Sequence, residues 1–118
     1  MFNFEKLEVW QKAIDFADLI YNQTRQFPPD ERFGLTNQMR RAAVSISSNI
    51  AEGTSRVSQT DFARFIEIAT GSVFEVVSQS LIGRRQGFLP DENFRMLYAA
   101  AEEIGRMLSG LRKSLDLS

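Results

Sequence analysis

Serine, arginine and amide side chains crowd one stretch of this 118-residue chain, Gln38 to Gly53, and raise the first chemical question. Ser45, Ser47 and Ser48 could serve as nucleophiles only beside a base that takes the hydroxyl proton. The chain has no His and no Cys, and no lysine lies nearby in the sequence. Metal chemistry meets the same obstacle, because helical bundles that hold metals typically join facing carboxylates to a Glu-x-x-His element. Glu67, Glu75, Glu102 and Glu103 therefore read as exposed charges. No glycine-rich loop has the spacing of a phosphate or dinucleotide cradle. The expectation is a protein with no catalytic residue, no cofactor, no metal and no small-molecule substrate, that is, not an enzyme.

Arginine offers a different chemistry. Of the 14 basic residues 11 are arginines, the side chain suited to bidentate contacts with phosphate and carboxylate. Arg40, Arg41, Arg56 and Arg64 face only Glu52 and Asp61 between residues 38 and 64, which leaves that segment positive although the chain carries a net charge of −1. These four are the candidate nucleic-acid contacts, with ordinary solvated ion pairs as the competing reading. Arg84 and Arg85 form a second basic pair that could equally satisfy the last carbonyls of a helix.

If Gln38–Gly53 is helical, Met39, Ala42, Ala43, Ile46, Ile50 and Gly53 fall on one side and Arg41, Ser45, Ser48, Asn49 and Glu52 on the other. The first face packs. The second has three readings: internal hydrogen bonds that hold the helices together, a subunit interface in which small side chains allow close approach, or a nucleic-acid surface.

The elements that must position these residues follow from periodicity. Helix 1 is expected from about Glu5 to Arg25, with Asn3 a possible N-cap and Val9, Ala13, Phe16, Ala17, Ile20 and Thr24 turned inward. Glu8 and Lys12 are spaced as an i,i+4 pair. Phe27-Pro28-Pro29-Asp30 breaks the chain, and helix 2 is expected from about Pro29 to Ala51 or Glu52, stopped by Gly53. Ser58 is placed to cap helix 3, which runs to about Gln86, with Gly71 a candidate close crossing opposite Ala42 and Ala43. Gly87 to Asp91 repeats the stop signal. Helix 4 reaches about Leu115, with Phe94, Leu97, Tyr98, Ala101, Ile104 and Leu108 inward, and Asp116 to Ser118 are expected to fray.

Four such helices with short loops make an all-α, antiparallel up-down-up-down four-helix bundle, one domain over residues 1–118. Trp10, Ile14 and Tyr21 on helix 1, and Phe74 and Leu81 on helix 3, form apolar flanks that either complete the core or mark an oligomer contact. The first residues lack the basic n-region of a signal peptide, and no run of about 18 uncharged apolar residues is evident. A cytoplasmic location with no membrane association is expected.

Several motifs carry a resemblance. Phe4-x-x-Leu7-x-Val9-Trp10-x-Lys12-Ala13, Phe27-Pro28, Gly34-Leu35-Thr36-x-Gln38, the block from Arg40 to Gly53 and Ile68-Ala69-x-Gly71-Ser72 together resemble the four helix bundle protein family encoded within intervening sequences of bacterial 23S rRNA genes. The likeness spans nearly the whole chain. It implies a bundle assembled into a ring-like homopentamer. The chain is also similar to the accessory variability determinants of diversity-generating retroelements, basic pentamers that bind a reverse transcriptase and nucleic acid; the net charge here is −1. The expected partners are therefore further copies of the chain, and RNA or a nucleic-acid-processing protein, with a protein-only adaptor as the alternative.

Overall fold

The computed structural model describes residues 1–115 and 117, so the fraying expected over 116–118 falls, at 116 and 118, outside the described residues. A 3-10 turn, Asn3–Lys6, leads into helices α1 (Glu8–Thr24), α2 (Leu35–Thr54), α3 (Gln59–Arg85) and α4 (Asp91–Ser114), with a second 3-10 turn at Pro29–Glu31. No strand occurs among the described residues. The helices pack as a square: α1 lies beside α2 and α4, α3 lies beside α2 and α4, and among the described residues the Cα atoms of neither diagonal pair come within 8 Å. The rod measures 47 × 21 × 21 Å.

The core is the set of inner stripes of the four helices. Val9, Ala13, Phe16 and Ile20 of α1 meet Met39, Ala43, Ile46 and Ile50 of α2, Ile66, Ala69 and Val76 of α3, and Leu97, Ile104 and Leu108 of α4 in one buried cluster. Removing this apolar surface from water is the dominant favourable term in holding four helices together.

Helix ends follow local chemistry. Ser58 caps α3 as expected, its hydroxyl accepting from the Asp61 amide at 3.0 Å. Gly87, after α3, adopts φ +81°, a conformation that costs glycine little and other residues more. Two starts differ from expectation. Leu7 is extended and separates the first 3-10 turn from α1, and the Phe2 amide donates to the Glu5 carboxylate at 2.9 Å. Asn3 does not cap; its side chain reaches the Thr54 carbonyl at 3.4 Å. The prolines nucleate only the turn Pro29–Glu31, and α2 begins at Leu35, where the Glu31 carboxylate accepts from the Leu35 amide at 3.0 Å. A capping carboxylate four residues upstream thus sets the start of α2, not proline.

Other expectations are corrected by packing. Gly53 does not stop α2, which continues to Thr54; it lies buried against α3, where an added Cβ would sit 2.8 Å from the Phe62 ring and 3.0 Å from Phe65 Cβ. Gly71 is no crossing point, since a Cβ there meets nothing within 4 Å and neither Ala42 nor Ala43 faces it. Tyr98 leaves the inner stripe of α4 and is 41% exposed. Lys12 pairs across to Glu103 of α4 at 3.4 Å instead of with Glu8. Glu67 and Glu75 leave α3 without an uncharged apolar run of that length, yet α3 is long and apolar enough to cross a membrane by length and mean hydropathy, with 39% of its most apolar window buried within the bundle. The reason is that it carries apolar residues outside as well as inside, with Ile68, Phe74, Leu81 and Ile82 all exposed.

Candidate functional site

The outer face of α2 is the most chemically varied surface. Asn49 folds back one turn, its Nδ2 donating to the Ser45 carbonyl at 2.8 Å and to Ser45 Oγ at 2.9 Å. Ser72 of α3 then donates to Ser45 Oγ at 2.9 Å, so a thread of hydroxyl and amide groups stitches α2 to α3. Small side chains permit this close approach, and their polarity is satisfied locally as half-buried groups require. Glu52 pairs with Arg56 at 2.8 Å, one turn on. Ser48 is exposed and Ser47 is buried on the Val44 carbonyl at 3.1 Å.

The four candidate arginines part into two groups. Arg40 and Arg41 lie in the N-terminal half of α2, whereas Arg56 and Arg64 lie beyond its C-terminus and in the second turn of α3. At 1.5 Å per residue, Arg41 and Arg56 are separated by about 22 Å along the helix axis. Within the first group the side chains differ. Arg40 turns inward to the end of α1: its Nε donates to Thr24 Oγ1 at 2.9 Å, a terminal nitrogen reaches the Tyr21 carbonyl at 3.4 Å, and the guanidinium lies 4.6 Å from the Tyr21 ring centroid. A cation at the negative end of a helix dipole is favourable there, which sequence spacing alone did not disclose. Arg41 is exposed and makes no hydrogen bond or ion pair among the described residues. It stands between two open polar clefts, one shared with Tyr21, Asn37, Arg40, Val44 and Ser45, the other with Gln38, Ala42 and Glu75. Within the second group, Arg56 also covers the Phe65 ring at 4.6 Å, and Arg64 is exposed without an ionic partner among the described residues. Arg84 lies 4.2 Å from the Phe94 ring centroid, not on the last carbonyls of α3.

The apolar candidates divide as well. Trp10 is half-buried, its ring edge-on to Phe4 with centroids 4.9 Å apart. Ile14 and Tyr21 stay exposed on α1. Phe74 is 71% exposed and, with Leu81, lines an apolar groove of about 360 Å³ between α3 and α4, together with Val77, Tyr98, Ala101 and Gly105. Spacing found Phe74 and Leu81 but missed Tyr98, because the α4 stripe is wide enough to place that ring on either side. Among the described residues no group of three or more acidic side chains could hold a metal.

These features define the class: an up-and-down helical bundle whose distinctive surfaces are a serine- and arginine-bearing helix face and an open apolar groove. More particularly, the chain belongs to the 23S rRNA-intervening sequence protein family, whose profile matches residues 5–110. A solved structure of a protein of unknown function from the S23 ribosomal protein family of Bacteroides thetaiotaomicron is similar in fold. It superposes with a TM-score of 0.82 at 24% identity, over 90% of this chain and 96% of that one. No curated protein matches.

Proposed function

We propose that the chain is a non-enzymatic, cytoplasmic scaffold that assembles with itself, as a ring of five by family resemblance, and presents repeated arginines to RNA. The observation that carries the assembly is the exposed apolar groove between α3 and α4, since a contiguous apolar surface is costly to leave in water. The RNA reading is supported by Arg41 and Arg64, exposed and without acidic partners among the described residues, and by the family's association with 23S rRNA intervening sequences. Two such arginines on one subunit of net charge −1 hold phosphate weakly. Repetition around a rigid assembly raises the effective concentration of each contact after the first, so weak sites act together.

The test is titration of a labelled stem-loop RNA against the intact oligomer at low and moderate salt. The expected result is binding that weakens steeply with salt. Alanine at both Arg40 and Arg41, or at both Arg56 and Arg64, is expected to flatten the logarithmic slope by roughly 0.7 to 0.9 for each phosphate that the variant no longer neutralises. Absence of binding at low salt with the oligomer intact would sink the RNA reading. It would leave the protein-only adaptor, which two observations favour: Arg40 is held by Thr24 and Tyr21, and Arg56 is paired with Glu52.

A further inference from the structure

We propose that copies of this chain meet head to tail, the α3/α4 groove of one closing over the α1/α2 cleft of the next, with Glu102 of the first against Arg41 of the second. This rests on the assembly part of the function proposed above and names the surfaces that would carry it.

The square packing puts the α1/α2 cleft and the α3/α4 groove on different sides of the bundle, each between its own pair of helices. Each side carries exposed apolar residues: Phe74, Leu81 and Tyr98 at the groove, Tyr21 and Val44 at the cleft. The two also share an axial level. Leu81 and Tyr98 lie toward the C-terminal end of α3 and the N-terminal part of α4, and Tyr21 and Arg41 lie toward the C-terminal end of α1 and the N-terminal part of α2. In an antiparallel bundle those are the same end, so neighbouring rods can stand side by side without sliding.

Charge selects the pairing. Among the described residues Glu102 is the only charged one that lines the groove, and Arg40 and Arg41 are the only ones that line the cleft. Arg40 is already engaged within its own chain, whereas neither Arg41 nor Glu102 has a hydrogen-bonded or ionic partner among the described residues. Groove on groove would set Glu102 facing Glu102, and cleft on cleft would set Arg41 facing Arg41. Groove on cleft brings opposite charges together beside Tyr21 and Val44, the apolar residues of the otherwise polar cleft, and like charges juxtaposed at an interface are strongly disfavoured. A contact between two different surfaces is heterologous, so it propagates into a closed ring or an open filament and does not stop at a two-fold dimer. It also gives Phe74 and Leu81, two of the exposed residues that raise the hydropathy of α3, a second copy to meet. Arg41 then serves the seam as well as RNA, so alanine at Arg40 and Arg41 is expected to weaken assembly together with RNA binding, and alanine at Arg56 and Arg64 to weaken RNA binding alone.

The experiment uses Phe74→Asp and Val44→Asp, both at exposed positions, with far-UV circular dichroism to confirm that the helices are retained. Each variant alone is expected to scatter light as a 13.4 kDa monomer. An equimolar mixture should recover an assembly of two chains and no larger, because each pair has one intact groove and one intact cleft. As a second measure, Arg41→Glu or Glu102→Arg should weaken self-association about tenfold, and the two changes in one chain should restore it. If wild type assembles but Phe74→Asp leaves its size unchanged, this interface is wrong while self-assembly stands. If only Phe74→Asp acts and Val44→Asp does not, the contact is groove on groove and the proposal fails. A monomeric wild type, including one that binds phosphatidylglycerol vesicles instead of itself, overturns both this interface and the assembly reading.

Discussion

Replacing Phe16 by alanine is expected to destabilise the bundle by about 4 kcal/mol, read as a lowered urea midpoint at fixed protein concentration with the slope unchanged. Phe16 is 2% exposed and sits midway along α1, in the cluster shared with α2, α3 and α4. Truncation loses the transfer free energy of the ring and leaves a cavity that rigid helix backbones cannot collapse to fill. Set against typical total stabilities of about 5 to 15 kcal/mol, this is a large fraction for one residue. A destabilisation below about 1 kcal/mol would mean that the helices close around the vacancy, contradicting a tightly packed square.

The second large effect is expected at Gly53, where leucine should cost about 3 kcal/mol despite being the better helix former. The Cβ position lies 2.8 Å from the Phe62 ring and 3.0 Å from Phe65 Cβ. The ring can swing aside, but Phe65 Cβ is fixed to the α3 backbone, so the longer side chain must push two helices apart. Gly71 supplies the contrast. Nothing lies within 4 Å of a Cβ built there, so Gly71→Ala should stabilise by about 0.5 to 1 kcal/mol through the reduced freedom of the unfolded chain. Equal effects at the two glycines would refute the close α2–α3 approach.

Those two glycines mark how far the sequence could be read. Helical periodicity found all four elements and most of the buried apolar residues, because a stripe at three- and four-residue steps has one face to bury, but it passed over the buried polar Gln23, Thr36, Ser47, Ser72 and Gln79. Ser58 and Gly87 were legible since a cap and a left-handed residue are local requirements. Which neighbour a residue meets is not local. Gly53 and Gly71 are alike in the sequence, yet one faces α3 and the other faces outward. Lys12 is spaced for Glu8 but finds Glu103, brought alongside only when α4 returns beside α1. In the candidate site, the small polar side chains of α2 stood out by their spacing; their bonds to one another are made within α2, but the bond to Ser72 depends on how α3 packs. The inward turn of Arg40 depends on where α1 ends, and adjacent arginines cannot disclose that one is engaged and the other exposed.

The square of helices also has a kinetic side. The α2–α3 corner is the most extensively packed and is closed by only the residues from Ser55 to Ser58, so its contacts form within a short hairpin. The α1–α4 corner is the sparsest and joins opposite ends of the chain, where loop closure costs the most entropy. The hairpin is thus placed to order first and the terminal helices to dock on it. In native-state hydrogen exchange, amides of α1 and α4 are expected to open at lower free energy than those of α2 and α3. Uniform protection across all four helices would show instead that the bundle opens only as a whole.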